Sequence, residues 1–156
     1  MSTFTPAMKT FIAADRFAVI GRVLSDRTRF DNKVLRWYQN HELPVTPVRP
    51  DKENSEAIES LSVLSSPLDL PSLPTTAVSI IINPAIGLPL LKSLFPTPPN
   101  PATEPKALWF QPGADSSEIH QYIKQRGLED RVVFGGPCIL VLGESLLKEK
   151  AGGSHL

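Results

Sequence analysis

Five short, largely apolar runs alternate along this chain with segments of helical character. The runs are Phe17–Ile20, Leu43–Val48, Ala77–Ile82, Ala107–Phe110 and Val132–Phe134. Helical patterns occupy Asp31–Asn40, Ile86–Phe95, Ser116–Arg126 and Cys138–Leu147. Strands that read as apolar runs, without regular alternation, are typical of parallel sheets with both faces covered. The pattern therefore predicts an α/β fold: a Rossmann-like, doubly wound parallel five-stranded sheet with helices on both faces.

The length of 156 residues predicts a single domain over 1–156, with a core of about 11–147 and a mobile tail at 150–156. Sixteen prolines give this chain about twice the usual share, which is about 5%. Because proline lacks an amide donor and fixes φ, this excess predicts stiff connections between the elements. The longest of them is the segment 96–105, PTPPNPATEP, which we expect to be an exposed loop.

The charge balance argues against several kinds of partner. Sixteen basic residues match sixteen acidic ones, which disfavours nucleic acid as a partner. The sequence has no basic amphipathic segment for a membrane surface, no apolar run long enough to span a bilayer and no signal peptide. The single cysteine, Cys138, rules out an internal disulfide. We expect a cytoplasmic protein with a small-molecule nucleotide or acyl ligand, and the charge pattern leaves a homodimer open.

The first strand leads into the most informative segment, Phe17–Tyr38, in which an apolar run, a glycine and a helix start follow one another. In doubly wound folds the ligand lies at the carboxyl ends of the strands, and helix N-termini there bind phosphates. Gly21 allows a sharp turn and a close approach of the backbone. Between Gly21 and Arg36, five basic residues outnumber two acidic ones, Asp26 and Asp31. The basic residues are Arg22, Arg27, Arg29, Lys33 and Arg36, with Arg36 expected on the solvated face of the helix.

The end of the second strand bears on the kind of nucleotide. NAD-binding folds place an acid at this point to bind the ribose, whereas this chain has Arg49 followed by Pro50. An arginine suits a phosphorylated ribose, as in NADP or the 3′-phospho-ADP of coenzyme A. A solvated charge at a strand end is the alternative, and Asp51 and Lys52 beside it leave both interpretations open.

A family resemblance accompanies these residues. GRVLSDRTRFDNKVLRWY, PVRP, IESLSVLSSPLDLP, ALWFQPGA and GGPCILV, in this order, resemble the CoA-binding-domain family. That family is similar to the nucleotide-binding domain of succinyl-CoA ligase alpha subunits. The resemblance spans about Phe11 to Leu147 and implies a five-stranded Rossmann-like domain that binds coenzyme A or acyl-CoA.

The resemblance also implies positions for the ligand. The pyrophosphate would be surrounded by Gly21, Arg27, Arg29, Asn32 and Lys33. The adenosine would lie near Arg49 and Pro50, and the nucleotide would be bordered by Asn83 and Pro84. The outer end of the cleft would be flanked by Gln111, Pro112, Gly113 and Cys138.

Four departures from the family pattern fall in or near this region. Gly21-Arg22-Val23 stands where members usually read Gly-Ala-Ser, in a loop that is one residue longer. Asp31 and Ser60 each stand where glycine is common, and Arg49 stands where asparagine is frequent. We expect Asp31 to be the N-cap of its helix, where its carboxylate would repel a bound phosphate.

Three functional hypotheses follow. The first is a CoA-binding module without catalysis of its own. The second is a small isomerase, cyclase or lyase for an acyl or polyketide-like substrate, with Asp31 or Asp26 as acid/base and Arg27 or Arg29 holding a carboxylate. The third is an oxidoreductase using NADP, which would need a separate substrate domain.

Few other residues suggest chemistry. Cys138 is the one nucleophile of interest, either as a thiol near a helix N-terminus or as a small buried apolar residue. The spacing of histidine, cysteine and acidic residues predicts no metal site.

Overall fold

The computed structural model describes residues 4–50 and 56–153, so Asp51 and Lys52 lie outside the described residues. Five parallel strands form one sheet in the order β2-β1-β3-β4-β5. They are β1 Arg16–Gly21, β2 Val45–Val48, β3 Thr76–Ile81, β4 Ala107–Phe110 and β5 Val132–Val133. This confirms the predicted five-stranded, Rossmann-like parallel sheet.

The helices connect the strands. They are α1 Pro6–Ile12, α2 Phe30–Asn40, α3 Pro84–Leu94, α4 Ser117–Gln125 and α5 Ile139–Gly153, with short 3₁₀ turns at Pro67–Asp69 and Leu73–Thr75. The sequence did not predict α1, which begins with proline and is capped by the Thr5 side chain. Helix α5 continues into the segment predicted as a mobile tail, of which residues 154–156 lie outside the described residues.

Alternate residues of each strand point to opposite faces and build two apolar layers. Phe17, Val19 and Trp109 face the layer beneath α1, α2 and α5. Ile20, Ile80 and other inward residues face the layer beneath α3 and α4. Because both faces are covered, the strands are almost completely buried.

A buried polar chain crosses the first of these layers. The Tyr38 hydroxyl lies 2.8 Å from Ser79 Oγ, and Gln111 Nε2 donates to the same oxygen over 3.4 Å. Gln111 Oε1 in turn accepts from the Ile139 amide at the start of α5 (3.0 Å). Burial raises the pKa of the Tyr38 phenol, so this hydroxyl stays protonated and can donate. These hydrogen bonds thus link α2, β3, β4 and α5.

Candidate functional site

A cleft of about 530 Å³ opens at the carboxyl ends of β1, β3 and β4. The chain leaves β1 toward β2 on one side and places β3 on the other, so this is where the strand order reverses. Doubly wound sheets bind ligands at that reversal, and the volume is in the range of small-molecule sites, about 300–1,000 Å³. The lining residues are Arg22, Val23, Arg29, Phe30, Asp31, Ile81, Ile82, Asn83, Pro84, Pro112, Gly113 and Ala114.

The loop between β1 and α2 is held by its own side chains. Leu24 is fully buried and anchors the loop in the core. The Asn32 amide donates to the Leu24 carbonyl oxygen (2.6 Å), and its oxygen accepts from Arg36 Nε (2.7 Å). Arg36 Nη2 also donates to the Arg27 carbonyl oxygen (2.8 Å). Arg36, which was expected on the solvated face of the helix, is half-buried and ties α2 to this loop.

Asp31 lies inside the turn that this loop makes, and only 2% of its surface is exposed. Its Oδ2 accepts from the backbone amide of Val23 (2.9 Å), and its Oδ1 accepts from the backbone amide of Asn32 (2.8 Å). The predicted N-cap role is wrong, because α2 begins at Phe30 and Arg29 occupies the N-cap position. Asp31 is instead the second helical residue, and it folds back across the helix N-terminus to the loop.

The same carboxylate accounts for Gly21. A Cβ built on Gly21 would come within 2.7 Å of Asp31 Cβ and 2.9 Å of Asp31 Cγ, which is closer than real contacts allow. The close approach that a glycine permits at this turn is therefore made by a side chain of the protein itself. Gly21 lies next to the cleft, but the space above it is filled by Asp31.

Opposing influences act on the ionisation of Asp31. Burial is the largest and raises the pKa of the carboxyl group above its ordinary value. The amides of Val23 and Asn32 and the nearby Arg29 guanidinium lower this pKa and offset part of the effect. The cleft thus contains a buried acid whose proton affinity is increased.

Two arginines line the mouth of the cleft. Arg22 and Arg29 are both exposed, and both were predicted as ligand residues. Within the part of the chain that the structure describes, the Arg29 guanidinium makes no hydrogen bond or salt bridge, although its charge acts on Asp31. A guanidinium group can bind an anion through two parallel hydrogen bonds, so the Arg29 side chain at this entrance is suited to an anionic group.

Residues that follow the third and fourth strands complete the lining. Asn83 caps α3 by accepting from the Ala85 amide (2.8 Å), and Pro84 follows as the first helical residue. Pro112 and Gly113 form the opposite wall. Gly113 has a φ of +88°, a conformation that favours glycine.

Other predicted ligand residues lie away from this lining. Arg27 is paired with Glu59 (Nε to Oε2, 3.2 Å), and Asn32 is buried beneath the loop, where it also contacts Glu59. Lys33 is exposed on a different face, beside a cavity that includes Trp37 and Leu140. Their predicted contacts with a pyrophosphate stay predictions that this arrangement does not favour.

The remaining predicted residues are also separate from the cleft. Arg49 is half-buried at the end of β2, and its buried Nε has no hydrogen-bond partner among residues 4–50 and 56–153, while Pro50 is exposed. Gln111 is fully buried and holds the start of α5. Cys138 is half-buried, and its carbonyl oxygen accepts from the backbone amides of Val141 and Leu142 in the first turn of α5.

The sequence did not single out Val23, Phe30, Ile81, Ile82 and Ala114 as parts of the cleft, nor Glu59 as a support for its loop. Four of the five lining residues directly flank predicted site residues and Ile81 lies two positions before Asn83, so adjacency was the available signal. Glu59 is 27 residues from Asn32 in sequence, and no local pattern indicates that contact.

Residues 4–50 and 56–153 lack two further kinds of feature. No helix there is long and apolar enough to cross a membrane. The same residues contain no group of three or more His, Cys, Asp or Glu side chains placed to hold a metal ion.

Solved structures share this fold. A conserved hypothetical protein from Pyrococcus furiosus is 28% identical, with a TM-score of 0.64 over 81% of this chain and 97% of that one. A Thermus thermophilus protein described as cell-free ID.343 is 23% identical, with a TM-score of 0.68 over 88% and 93% of the two chains. A further structure of an uncharacterized protein is 19% identical, with a TM-score of 0.63 over 85% and 97%.

No match is found among curated proteins. The family model described as "CoA binding domain" matches residues 15–144, which include all five strands and the whole lining of the cleft. The chain therefore belongs to the CoA-binding-domain family.

Proposed function

We propose that this chain binds coenzyme A, an acyl-CoA or a related phosphorylated nucleotide in the cleft between β1, β3 and β4, without catalysing a reaction of its own. The observation that carries the proposal is the cleft itself, at the reversal of strand order and with Arg22 and Arg29 at its mouth. Family membership supports the same ligand class.

The arginine side chains, in this proposal, provide the main contacts with the phosphates. The Val23 amide is already bonded to Asp31, so it does not offer a free donor to the ligand. A guanidinium can bind a phosphate through two parallel hydrogen bonds. Asn83 and Gly113 lie across the cleft and would border the remainder of the nucleotide.

The proposal extends to the phosphate on the ribose of the ligand, which would lie toward Arg49. Arg49 lies at the end of β2, outside the residues that line the cleft, and none of the described residues is a hydrogen-bond partner of its buried Nε. A ligand that extends over the end of β1 toward β2 would bring a 3′- or 2′-phosphate toward this group. Coenzyme A and NADPH would then bind more tightly than dephospho-CoA and NADH.

Isothermal titration with CoA, acetyl-CoA, dephospho-CoA, NADH and NADPH tests the proposal. We expect Arg29→Ala to weaken CoA binding about tenfold, the effect of losing a charge-assisted contact of about 1.4 kcal/mol. Arg16→Ala is the matched control, since Arg16 is an exposed arginine at the opposite end of β1. Absence of binding to all five ligands, or equal losses in the two variants, would contradict the proposal.

A second candidate function is a small isomerase, cyclase or lyase for an acyl or polyketide-like substrate. The observation that favours it is the buried acid, Asp31, which lines an open cleft and has a raised pKa. Arg29 would hold a substrate carboxylate. Against it, both Asp31 oxygens already accept backbone amides, which limits their access to a substrate proton.

The pKa of Asp31 separates these two functions. An acid/base catalyst works best when its pKa lies near the working pH, so this role calls for a value of about 6 or higher. Carbon-detected NMR titration of the Asp31 carboxyl group measures it directly. A midpoint of about 6 or higher would favour the acid/base role, whereas a midpoint below about 5 would remove the support that the raised pKa gives to it.

A further inference from the structure

Asp31 occupies the place in this fold where a ligand anion is expected. Its carboxylate lies at the N-terminus of α2, bonded to the Val23 amide and packed over Gly21. A helix N-terminus favours negative charge, and a glycine turn exposes amides to a phosphate. In this protein the Asp31 side chain supplies the negative charge, accepts the hydrogen bond of the Val23 amide and fills the space over Gly21.

We propose that Asp31 is an internal substitute for a ligand phosphate, and that it determines which anionic ligands the cleft can accept. A phosphate seated on the Val23 amide would have to displace the carboxylate. A phosphate bound by the arginines at the mouth would approach a fixed negative charge. The inference rests on the proposed function, and it concerns selectivity within that site.

The burial of Asp31 makes displacement unfavourable. With 2% of its surface exposed, the side chain is enclosed by the loop and by the first turn of α2. Moving it would leave the Val23 and Asn32 amides without their present acceptors. The wild-type chain should therefore bind a phosphate weakly at this point and should favour ligands that place no anionic group on the Val23 amide.

Substitution of Asp31 tests the inference, with inorganic pyrophosphate as the probe. Asp31→Ala removes both the charge and the obstruction, whereas Asp31→Asn fills similar space without charge. We expect pyrophosphate to bind Asp31→Ala at least about tenfold more tightly than the wild type, from the helix N-terminus and the removed repulsion. Asp31→Asn should gain less, because its side chain still covers Gly21.

The matched control is Asp26→Ala. Asp26 lies in the same loop, is exposed, and accepts from the Thr28 amide (3.0 Å) and hydroxyl (2.6 Å). This variant removes the same charge from the loop without opening the turn, so pyrophosphate affinity should change less than about twofold. Equal gains in Asp26→Ala and Asp31→Ala would show a general charge effect and overturn the inference.

The Val23 amide provides a local readout. In proton–nitrogen NMR spectra, pyrophosphate should shift the Val23 signal in Asp31→Ala and leave it nearly unchanged in the wild type. Pyrophosphate binding of equal strength in both proteins would also overturn the inference.

The same titrations distinguish failure of the inference from failure of the proposed function. If the wild type binds CoA but Asp31→Ala does not gain affinity for pyrophosphate, the proposed function is supported and the role inferred for Asp31 is contradicted. A pyrophosphate gain in Asp31→Ala, with no CoA binding to any variant, supports the role of Asp31 and contradicts the function. Failure of every protein to bind either ligand contradicts both.

Discussion

The backbone conformation at Ser60 is one that favours glycine. Its φ is +65° and that of the preceding Glu59 is +48°, so the turn places two side chains in the left-handed region. This turn brings Glu59 against Asn32 and Arg27 under the cleft loop. The resemblance implied a glycine where Ser60 stands, and a positive φ is a physical reason for glycine at this position.

Ser60→Gly should therefore stabilise the protein by about 1 kcal/mol, because glycine adopts this conformation without the steric cost that L-residues incur. Urea unfolding measures the change. Ser65→Gly is the control, since Ser65 has no positive φ and gains only flexibility in the unfolded chain. If Ser60→Gly were no more stable than Ser65→Gly, the strain attributed to this turn would be absent.

Position along the chain explains why some of the predicted site residues line the cleft and others do not. The cleft is lined by predicted residues that lie within three positions of the carboxyl end of a strand or at the N-terminus of a helix: Arg22, Arg29, Asn83, Pro84, Pro112 and Gly113. Arg27 and Lys33 come from the same basic segment but point elsewhere, since a loop and a helix turn their side chains in several directions. The charge pattern alone does not show which of these basic side chains face the cleft.

At the scale of elements, helix α5 lies so close to α2 that only glycine fits at position 143. A Cβ built there would approach Trp37 Cη2 to 2.7 Å. Trp37 is itself 9% exposed and belongs to the layer beneath α1, α2 and α5, which agrees with its interpretation as a core residue. The packing of these two helices therefore depends on one missing methyl group.

We expect Gly143→Ala to destabilise the protein by about 1–3 kcal/mol, the usual range for overpacking a well-filled core. Gly152→Ala in the same helix is the matched control, because nothing lies within 4 Å of a Cβ at that position. Alanine there should be neutral or stabilise by up to about 1 kcal/mol through its higher helix propensity. Thermal unfolding followed by circular dichroism compares them, and equal melting temperatures would contradict the packing argument.

Elements were predicted best where local patterns suffice. Helix α4 shows this: Ile119 and Ile123 face inward as their spacing predicts, and Gly127 follows the helix with a φ of +66°. Helix α1 was missed, because its seven residues gain their stability from packing against α5, β4 and β5. Asp31 was misplaced as an N-cap because its partner, the Val23 amide, lies eight residues earlier.

At the scale of the whole molecule, Glu104 joins distant parts of the chain. Only 2% of its surface is exposed, and it lies near the end of the segment 96–105. Its carboxylate accepts from Arg126 Nη2 (2.9 Å), from Arg131 Nη1 (3.2 Å) and from the Asn100 amide (2.8 Å). The loop predicted as exposed is so over residues 97–103, but Glu104 anchors its end between α4 and β5.

Glu104→Gln should lower the free energy of unfolding by about 3–5 kcal/mol, because it leaves the Arg126 guanidinium buried beside a neutral group. Lys9→Ala serves as the control, as it breaks an exposed salt bridge with Glu149, whose side chains are 52% and 39% exposed. That loss should not exceed about 1 kcal/mol. Chemical denaturation of both variants measures the difference, and similar small losses would contradict the buried role of Glu104.

The sequence by itself determined the fold class and the edge of the sheet where the cleft lies. Apolar runs and helical periodicity are local properties, and parallel strands necessarily bring their carboxyl ends to one edge. Tertiary structure alone decided what fills that edge. Glu104 meets Arg126 and Arg131 across 22 and 27 residues, and Asp31 reaches back across the loop to take the Val23 amide. Such contacts depend on how loops fold in three dimensions, and no spacing along the chain specifies them.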